Sequence, residues 1–85
     1  MTPWTLDWDP VAEQELTRLW LNAPDRRAMT VAQARAEGML ARDPLGHGQH
    51  LSEGLYLIRV PPLTLHYTID DDAKHVEVTW VSYTP

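Results

Sequence analysis

The sequence predicts an α+β fold: an N-terminal strand and a two-helix hairpin packed on one face of an antiparallel sheet of about four strands. The spacing of apolar residues changes twice along the chain, and these two changes predict the fold. Apolar residues alternate with polar ones at the N-terminus, recur at helical spacing through the middle, and alternate again from Tyr56 onward. Because both a helix stripe and a strand face must be covered, packing the hairpin on the sheet buries both.

The first strand and the first helix meet at Asp9. Alternation typical of a strand with one buried face runs through Trp4, Leu6 and Trp8. Asp9 is suited to cap a helix and Pro10 to occupy its first position, so we expect a helix from Pro10 to about Asn22. Its apolar face comprises Ala12, Leu16, Leu19, Trp20 and Ala23.

A second helix follows after a short link, which makes the pair a hairpin. Pro24 and Asp25 repeat the start signal, and Asp43 with Pro44 stops the helix after about Arg42. Its apolar stripe comprises Ala28, Ala32, Ala36, Met39 and Leu40.

Residues 46–48 are predicted to form a loop, after which strands are expected over residues 56–60, 63–69 and 76–83. Pro61 and Pro62 separate the first two strands, and an acidic turn around Asp71 separates the last two. Alternation places Val76, Val78 and Trp80 on the buried face of the last strand. The opposite sheet face is predicted to carry Leu57, Arg59, Thr64, His66, Glu77, Thr79 and Tyr83.

Length and composition limit the class of protein. The 85 residues form one domain, 1–85, and carry 12 acidic against 7 basic side chains, a net charge of −5. The absence of cysteine excludes a disulfide framework and cysteine nucleophiles and is compatible with a reducing cytoplasm. We expect a soluble cytoplasmic protein, because we find neither a signal peptide nor an apolar run long enough to span a membrane.

Positive charge is concentrated in the second helix. Its arginines are expected to project from the outer surface of the hairpin: Arg26, Arg27, Arg35 and Arg42. They form either a solvated face or a surface for an acidic partner or a nucleic acid.

The succession of elements resembles the RelE/ParE superfamily of bacterial toxins, which includes plasmid stabilisation proteins. The stretches that carry the resemblance are the opening WTLDWDPVAEQELTRLW, the ARDP that ends the second helix, the strand GLYLIRV, the hairpin LTLHYTIDDDAKHVEV and the closing VTWVSY. They cover nearly the whole chain in the order of the family.

The resemblance implies the toxin of a type II toxin–antitoxin system, neutralised by a cognate antitoxin that wraps its surface. RelE-branch members cut messenger RNA on the ribosome, and ParE-branch members act on DNA gyrase. An acidic antitoxin segment is then one candidate partner for the arginines of the second helix. RNA-cutting members usually have an arginine where this sequence has Thr64.

RNA cleavage without a metal needs a base for the 2′-hydroxyl, a cation for the charge on phosphate and an acid for the leaving oxygen. His66 or Glu77 is the candidate base, Arg59 the cation, and Tyr83 an orienting group or acid. No cofactor is expected. The structural alternatives are a solvated His66, an Arg59 paired with Glu77, and a Tyr83 that only packs.

Other functions stay open at this point. The same fold with few cations on its sheet suits a catalytically degenerate binding module, and an α+β interaction domain unrelated to toxins is a third hypothesis. His47 and His50 have a spacing compatible with a metal, although their glycine-rich surroundings favour a plain loop. We therefore predict no metal site.

Overall fold

The computed structural model describes residues 4–84 and has the predicted α+β architecture. Helices cover one face of a five-stranded sheet whose strand order is β1-β5-β4-β3-β2. In chain order the elements are β1 (Thr5–Trp8), α1 (Pro10–Asn22), α2 (Arg26–Arg42), α3 (Pro44–His47), β2 (Gln49–Ser52), β3 (Leu55–Val60), β4 (Leu63–Asp70) and β5 (His75–Tyr83).

The first long helix has its predicted bounds, and the second ends at Arg42 as predicted but begins at Arg26, so Asp25, predicted just inside the helix, is its N-cap. The Asp9 carboxylate accepts a hydrogen bond from the Val11 amide at 2.8 Å, and the Asp25 carboxylate accepts one from the Ala28 amide at 3.0 Å. Each bond satisfies a backbone donor that the first turn of a helix leaves unpaired, so the start of each helix is specified locally.

The sheet differs from the prediction in two ways. It is mixed, because β1 runs parallel to β5 while the other neighbouring strands are antiparallel. It also has a fifth strand, the edge strand β2, in residues for which no strand or helix was predicted. The loop predicted at residues 46–48 instead overlaps the short helix α3. All four residues of β2 are exposed, so they have no buried face and show no polar–apolar alternation.

The core lies between the helices and the inner face of the sheet. Packing is uneven, because α1 lies mainly on β5, α2 reaches β3 and β1, and the two helices touch each other little. The largest fully buried side chains contributed by the helices and the sheet are Met29, Leu40, Leu63, Leu65, Tyr67, Val76, Val78 and Val81.

A β-bulge interrupts the pairing of β4 with β5. His66 pairs with Trp80 and Tyr67 pairs with Val78, so Thr79 is the extra residue. An extra residue shifts the alternation of a strand by one position. Side chains after Thr79 therefore point to the face opposite to the one that simple alternation predicts.

Candidate functional site on the open sheet face

The sheet face that the helices leave uncovered is called the open face here. The strand register places three transverse rows on it. They are Arg59–Thr64–Ser82, Leu57–His66–Trp80 and Leu55–Thr68–Glu77. Arg59, His66 and Glu77 thus share one face, as the sequence predicts, with His66 in the middle row.

His66 is half-buried at the centre of the open face. Its Nδ1 atom is shielded from solvent and has no hydrogen-bond partner, and its backbone carbonyl accepts a bond from the Thr79 hydroxyl at 3.4 Å. A shielded Nδ1 cannot reach a bound molecule, so a proton exchanged by His66 would have to pass through Nε2.

Arg59 is exposed and is the only arginine or lysine in the strands of residues 4–84. It lies diagonally from His66 across β3 and β4, a relation that places Cα atoms about 7–8 Å apart. Arg59 takes part in none of the ion pairs of the described residues, so its guanidinium is available to an anion.

Glu77 lies on the other side of His66, also diagonally. Four residues and two strand spacings separate Arg59 from Glu77, or about 16 Å between their Cα atoms. The Arg59–Glu77 pair considered from the sequence is therefore wrong. The open face instead has a basic end at Arg59 and an acidic end at Glu77, with a histidine between them.

Tyr83 does not lie with the other three predicted site residues. It pairs with Leu63 on the helix side of the sheet and lines a cavity of about 110 Å³ with Leu19 and Ala23. The prediction that Tyr83 shares a face with Arg59 and His66 is wrong, because the bulge at Thr79 reverses the alternation.

Trp80 lies on the open face, where the sequence predicts mainly polar residues. It is 42% exposed beside His66, although alternation from Val76 and Val78 predicts it to be buried. The polar–apolar pattern does not reveal a bulge, so the sequence does not predict that Trp80 lies beside His66. A large aromatic ring beside His66 and near Arg59 can stack on a planar group.

Thr64 lies on the open face, as the sequence predicts, but it is buried. Its hydroxyl donates to the hydroxyl of Thr84 at 3.0 Å, and the Thr84 amide donates to the Pro62 carbonyl at 2.7 Å, so Thr84 lies against Thr64. Thr64 therefore presents no charge to the open face, and Arg59 is the cation of that row.

The arginines of α2 are all exposed, as predicted, but they differ in their contacts. Arg26 donates to the Leu21 carbonyl at 3.0 Å and its guanidinium lies 4.8 Å from the centroid of the Trp20 ring. Arg42 donates to the Gly38 carbonyl at 3.1 Å. Arg27 and Arg35 form no side-chain hydrogen bond or ion pair within residues 4–84, so they are the two most available to a partner.

No group of three or more histidine, aspartate or glutamate residues in the described part of the chain is arranged to hold a metal ion. His50 packs its ring against Tyr56, with 5.1 Å between centroids. Over residues 4–84 there is also no helix long and apolar enough to cross a membrane.

The comparisons with known proteins find similar solved structures but no matching family model or curated protein. The sequence matches no protein-family model and no curated protein. Among solved structures, a chain of the RelBE2 toxin–antitoxin complex from Mycobacterium tuberculosis is 28% identical, with a TM-score of 0.80 and coverage of 98% of this chain and 93% of that chain.

Two further structures extend the likeness. The isolated RelE toxin of E. coli is 18% identical with a TM-score of 0.68, over 96% of this chain and 85% of that chain. A chain of the chromosomal ParDE system of P. aeruginosa is 14% identical with a TM-score of 0.67, over 96% and 97%. At these identities the two structures establish a shared fold.

Proposed function

We propose that this chain, which belongs to the RelE/ParE toxin superfamily, is the toxin of a type II toxin–antitoxin pair and acts in the cytoplasm. The observation that carries the proposal is the likeness to the RelBE2 chain, which spans 98% of the sequence at a TM-score of 0.80. A cognate antitoxin then neutralises the chain, and its target is either messenger RNA on the ribosome or DNA gyrase.

Between the two targets, the open face favours RNA cleavage. His66 lies on the open face, where its Nε2 could take the proton of a 2′-hydroxyl or return one to the leaving oxygen, and Arg59 is placed to stabilise the charge that develops on the phosphate. Glu77 is a second candidate base at the acidic end of the same face. Tyr83 has no part in this mechanism because it lies on the other side of the sheet.

A catalytically degenerate binding module is the alternative, and one observation favours it. Arg59 is the only arginine or lysine on the strands of the described residues, and Thr64 beside it is buried against Thr84. A single cation provides little electrostatic stabilisation for a phosphate under attack. Such a protein inhibits by docking alone.

The first test is growth of bacteria after induction of the chain, alone and together with its neighbouring gene. Arrest that the neighbour relieves is the expected result. Normal growth with soluble protein present contradicts the toxin proposal. Two measurements after induction then distinguish the targets. New messenger RNA ends indicate RNA cleavage, and a change in plasmid supercoiling indicates gyrase poisoning.

His66→Gln tests the mechanism, with His47→Gln as its control because His47 is an exposed histidine of α3. We expect His66→Gln to lower RNA cleavage at least 100-fold, in line with the usual loss of a general acid or base, and His47→Gln to leave it unchanged. Cleavage that survives His66→Gln combined with Arg59→Ala shows that the chemistry lies elsewhere. Arrest without any RNA cleavage, unchanged in His66→Gln and without a change in plasmid supercoiling, favours the docking module.

A further inference from the structure

Trp80 differs from the three other tryptophans because its ring has no partner. In the described part of the chain, the Trp8 and Trp20 indoles each donate a hydrogen bond, and the Lys74 ammonium lies 4.9 Å from the centroid of the Trp4 ring. Over the same residues, the Trp80 ring has no hydrogen bond from its nitrogen, no cation above it and no aromatic ring paired with it. It is 42% exposed, so part of the ring is open to a planar ligand.

Trp80 also lies near the border of the sheet. β1 pairs with β5 only as far as Val78, so no strand of the described residues lies beyond Trp80 on that side. On its other side Trp80 lies opposite His66, with about 5 Å between the Cα atoms. An extended ligand can therefore pass over the edge of β5 at Trp80 and reach His66.

The half of the open face around Trp80 suits a polyanion. The rows that contain Arg59 and His66 include no aspartate or glutamate, whereas Glu77 lies in the third row. Two strand spacings and two residues separate Arg59 from Trp80, or about 12 Å between their Cα atoms. Because both side chains are long, a phosphate at Arg59 and the base of a neighbouring nucleotide at Trp80 can be held together.

We propose that Trp80 stacks on a purine base of the RNA beside the bond that is cleaved, and thereby gives cleavage a base preference. This inference rests on the proposed function, since it adds a contact to the same site. Every base has a π-face, but a purine overlaps more of an indole than a pyrimidine does, so the preference is expected to be modest. Stacking also supplies affinity that a single cation does not.

Oligonucleotides of equal length and charge test the contact. Two of them carry 2′-O-methyl groups, which block cleavage, and have adenine or uracil as the only base, while a third is abasic. We expect the adenine oligonucleotide to quench the fluorescence of Trp80 and to bind about tenfold more tightly than the abasic one, which is the effect of one stacked base. The uracil oligonucleotide should bind with intermediate affinity.

Trp80→Leu and Trp20→Leu form a matched pair of variants. Each removes one partly exposed indole, but Trp20 belongs to α1, on the covered side of the sheet. Trp80→Leu should abolish the quenching and lower the preference for adenine over the abasic oligonucleotide to less than twofold, whereas Trp20→Leu should leave that preference unchanged. Trp80→Phe keeps an aromatic ring and should retain most of it. Circular dichroism checks that the variants fold.

Three outcomes overturn the inference. Equal affinity of the wild-type chain for the adenine and abasic oligonucleotides shows that phosphates alone are bound. Absence of quenching at millimolar adenine oligonucleotide shows that no base reaches Trp80. An unchanged preference in Trp80→Leu shows that another group holds the base. If the neighbouring gene then relieves arrest by this variant less well, Trp80 contacts a partner protein instead.

Mapped cleavage sites separate this inference from the proposed function. Cuts by the wild-type chain should show an excess of purines at one position beside the cleaved bond, and Trp80→Leu should lose this excess while Trp20→Leu keeps it. Cleavage without any base excess contradicts the stacking contact and leaves the toxin proposal standing. A wild-type chain that cleaves no RNA contradicts the proposed cleavage, and the oligonucleotide titration still decides whether Trp80 binds a base.

Discussion

At the scale of single residues, Tyr67 is the polar side chain most completely enclosed by the fold. Its hydroxyl donates to the Pro44 carbonyl at 2.9 Å and its ring stacks on Tyr56 with 5.7 Å between centroids. Any side chain at Gly48 would overlap the Tyr67 hydroxyl, so this close approach requires glycine. Burial, followed by the charges of Tyr56 and Asp43, raises the pKa of Tyr67 to about 12.

This raised pKa predicts alkaline sensitivity. The pKa of Tyr67 is about 12 in the folded chain and 10.0 without the fold, so the unfolded chain loses the proton first. The stabilisation is complete below pH 10 and falls as the pH rises towards 12, by up to about 3 kcal/mol. Urea unfolding between pH 9 and 12 measures the loss.

Tyr67→Phe should remove that part of the pH dependence. It should also lower the free energy of unfolding at neutral pH by about 1–3 kcal/mol, because the buried Pro44 carbonyl loses its donor. Tyr83→Phe, which leaves the Pro44 bond intact, is the control and should keep the alkaline loss. If Tyr67→Phe loses as much stability at alkaline pH as the wild-type chain does, another group causes the effect.

At the scale of elements, the limits of the helices were predictable and the side-chain directions of β5 were only partly so. Asp9 and Asp25 specify helix starts through bonds within three residues, so the sequence shows them directly. Alternation placed Arg59, His66 and Glu77 correctly on one face because the extra residue lies in β5 alone, and Glu77 precedes it there. It failed for Trp80 and Tyr83 because Thr79 is inserted between them and the earlier part of β5.

Deleting Thr79 tests this explanation. Val78 and Val81 would stay on the inner face and Trp80 on the open face, because the deletion removes only the extra residue. We expect a folded protein with a cooperative thermal transition, destabilised by about 1–2 kcal/mol through the lost contact with the His66 carbonyl. Calorimetry and circular dichroism measure both properties.

Deleting Glu77 is the matched comparison for the bulge. It removes one residue from a regularly paired stretch of β5, so Val76 and Val78 would point to opposite faces and one of them would leave the core. We expect this variant to be unfolded. If the two deletions destabilise the chain equally, Thr79 is not a removable insertion.

At the scale of the whole molecule, pairing of β1 with β5 joins the two ends of the chain. Thr5 lies beside His75, a separation of 70 residues, whereas β3, β4 and β5 pair through short turns. Local alternation indicates that strands exist but carries no information on which strands are neighbours or whether they run parallel. For that reason, the sequence did not predict that the sheet is mixed or that β1 lies at its edge.

This difference in sequence separation predicts an order of folding. Closing a long loop costs entropy before its contacts contribute, so β1 should join the sheet after the β3–β4–β5 meander has formed. Leu6→Ala in β1 should mainly speed unfolding, with little effect on the folding rate, whereas Leu65→Ala at the fully buried centre of β4 should slow folding. Stopped-flow kinetics in urea measure both rates. If Leu6→Ala slows folding as much as Leu65→Ala does for the same loss of stability, β1 belongs to the folding nucleus. In that case β1 and β5 would pair early, despite the 70 residues that separate Thr5 from His75.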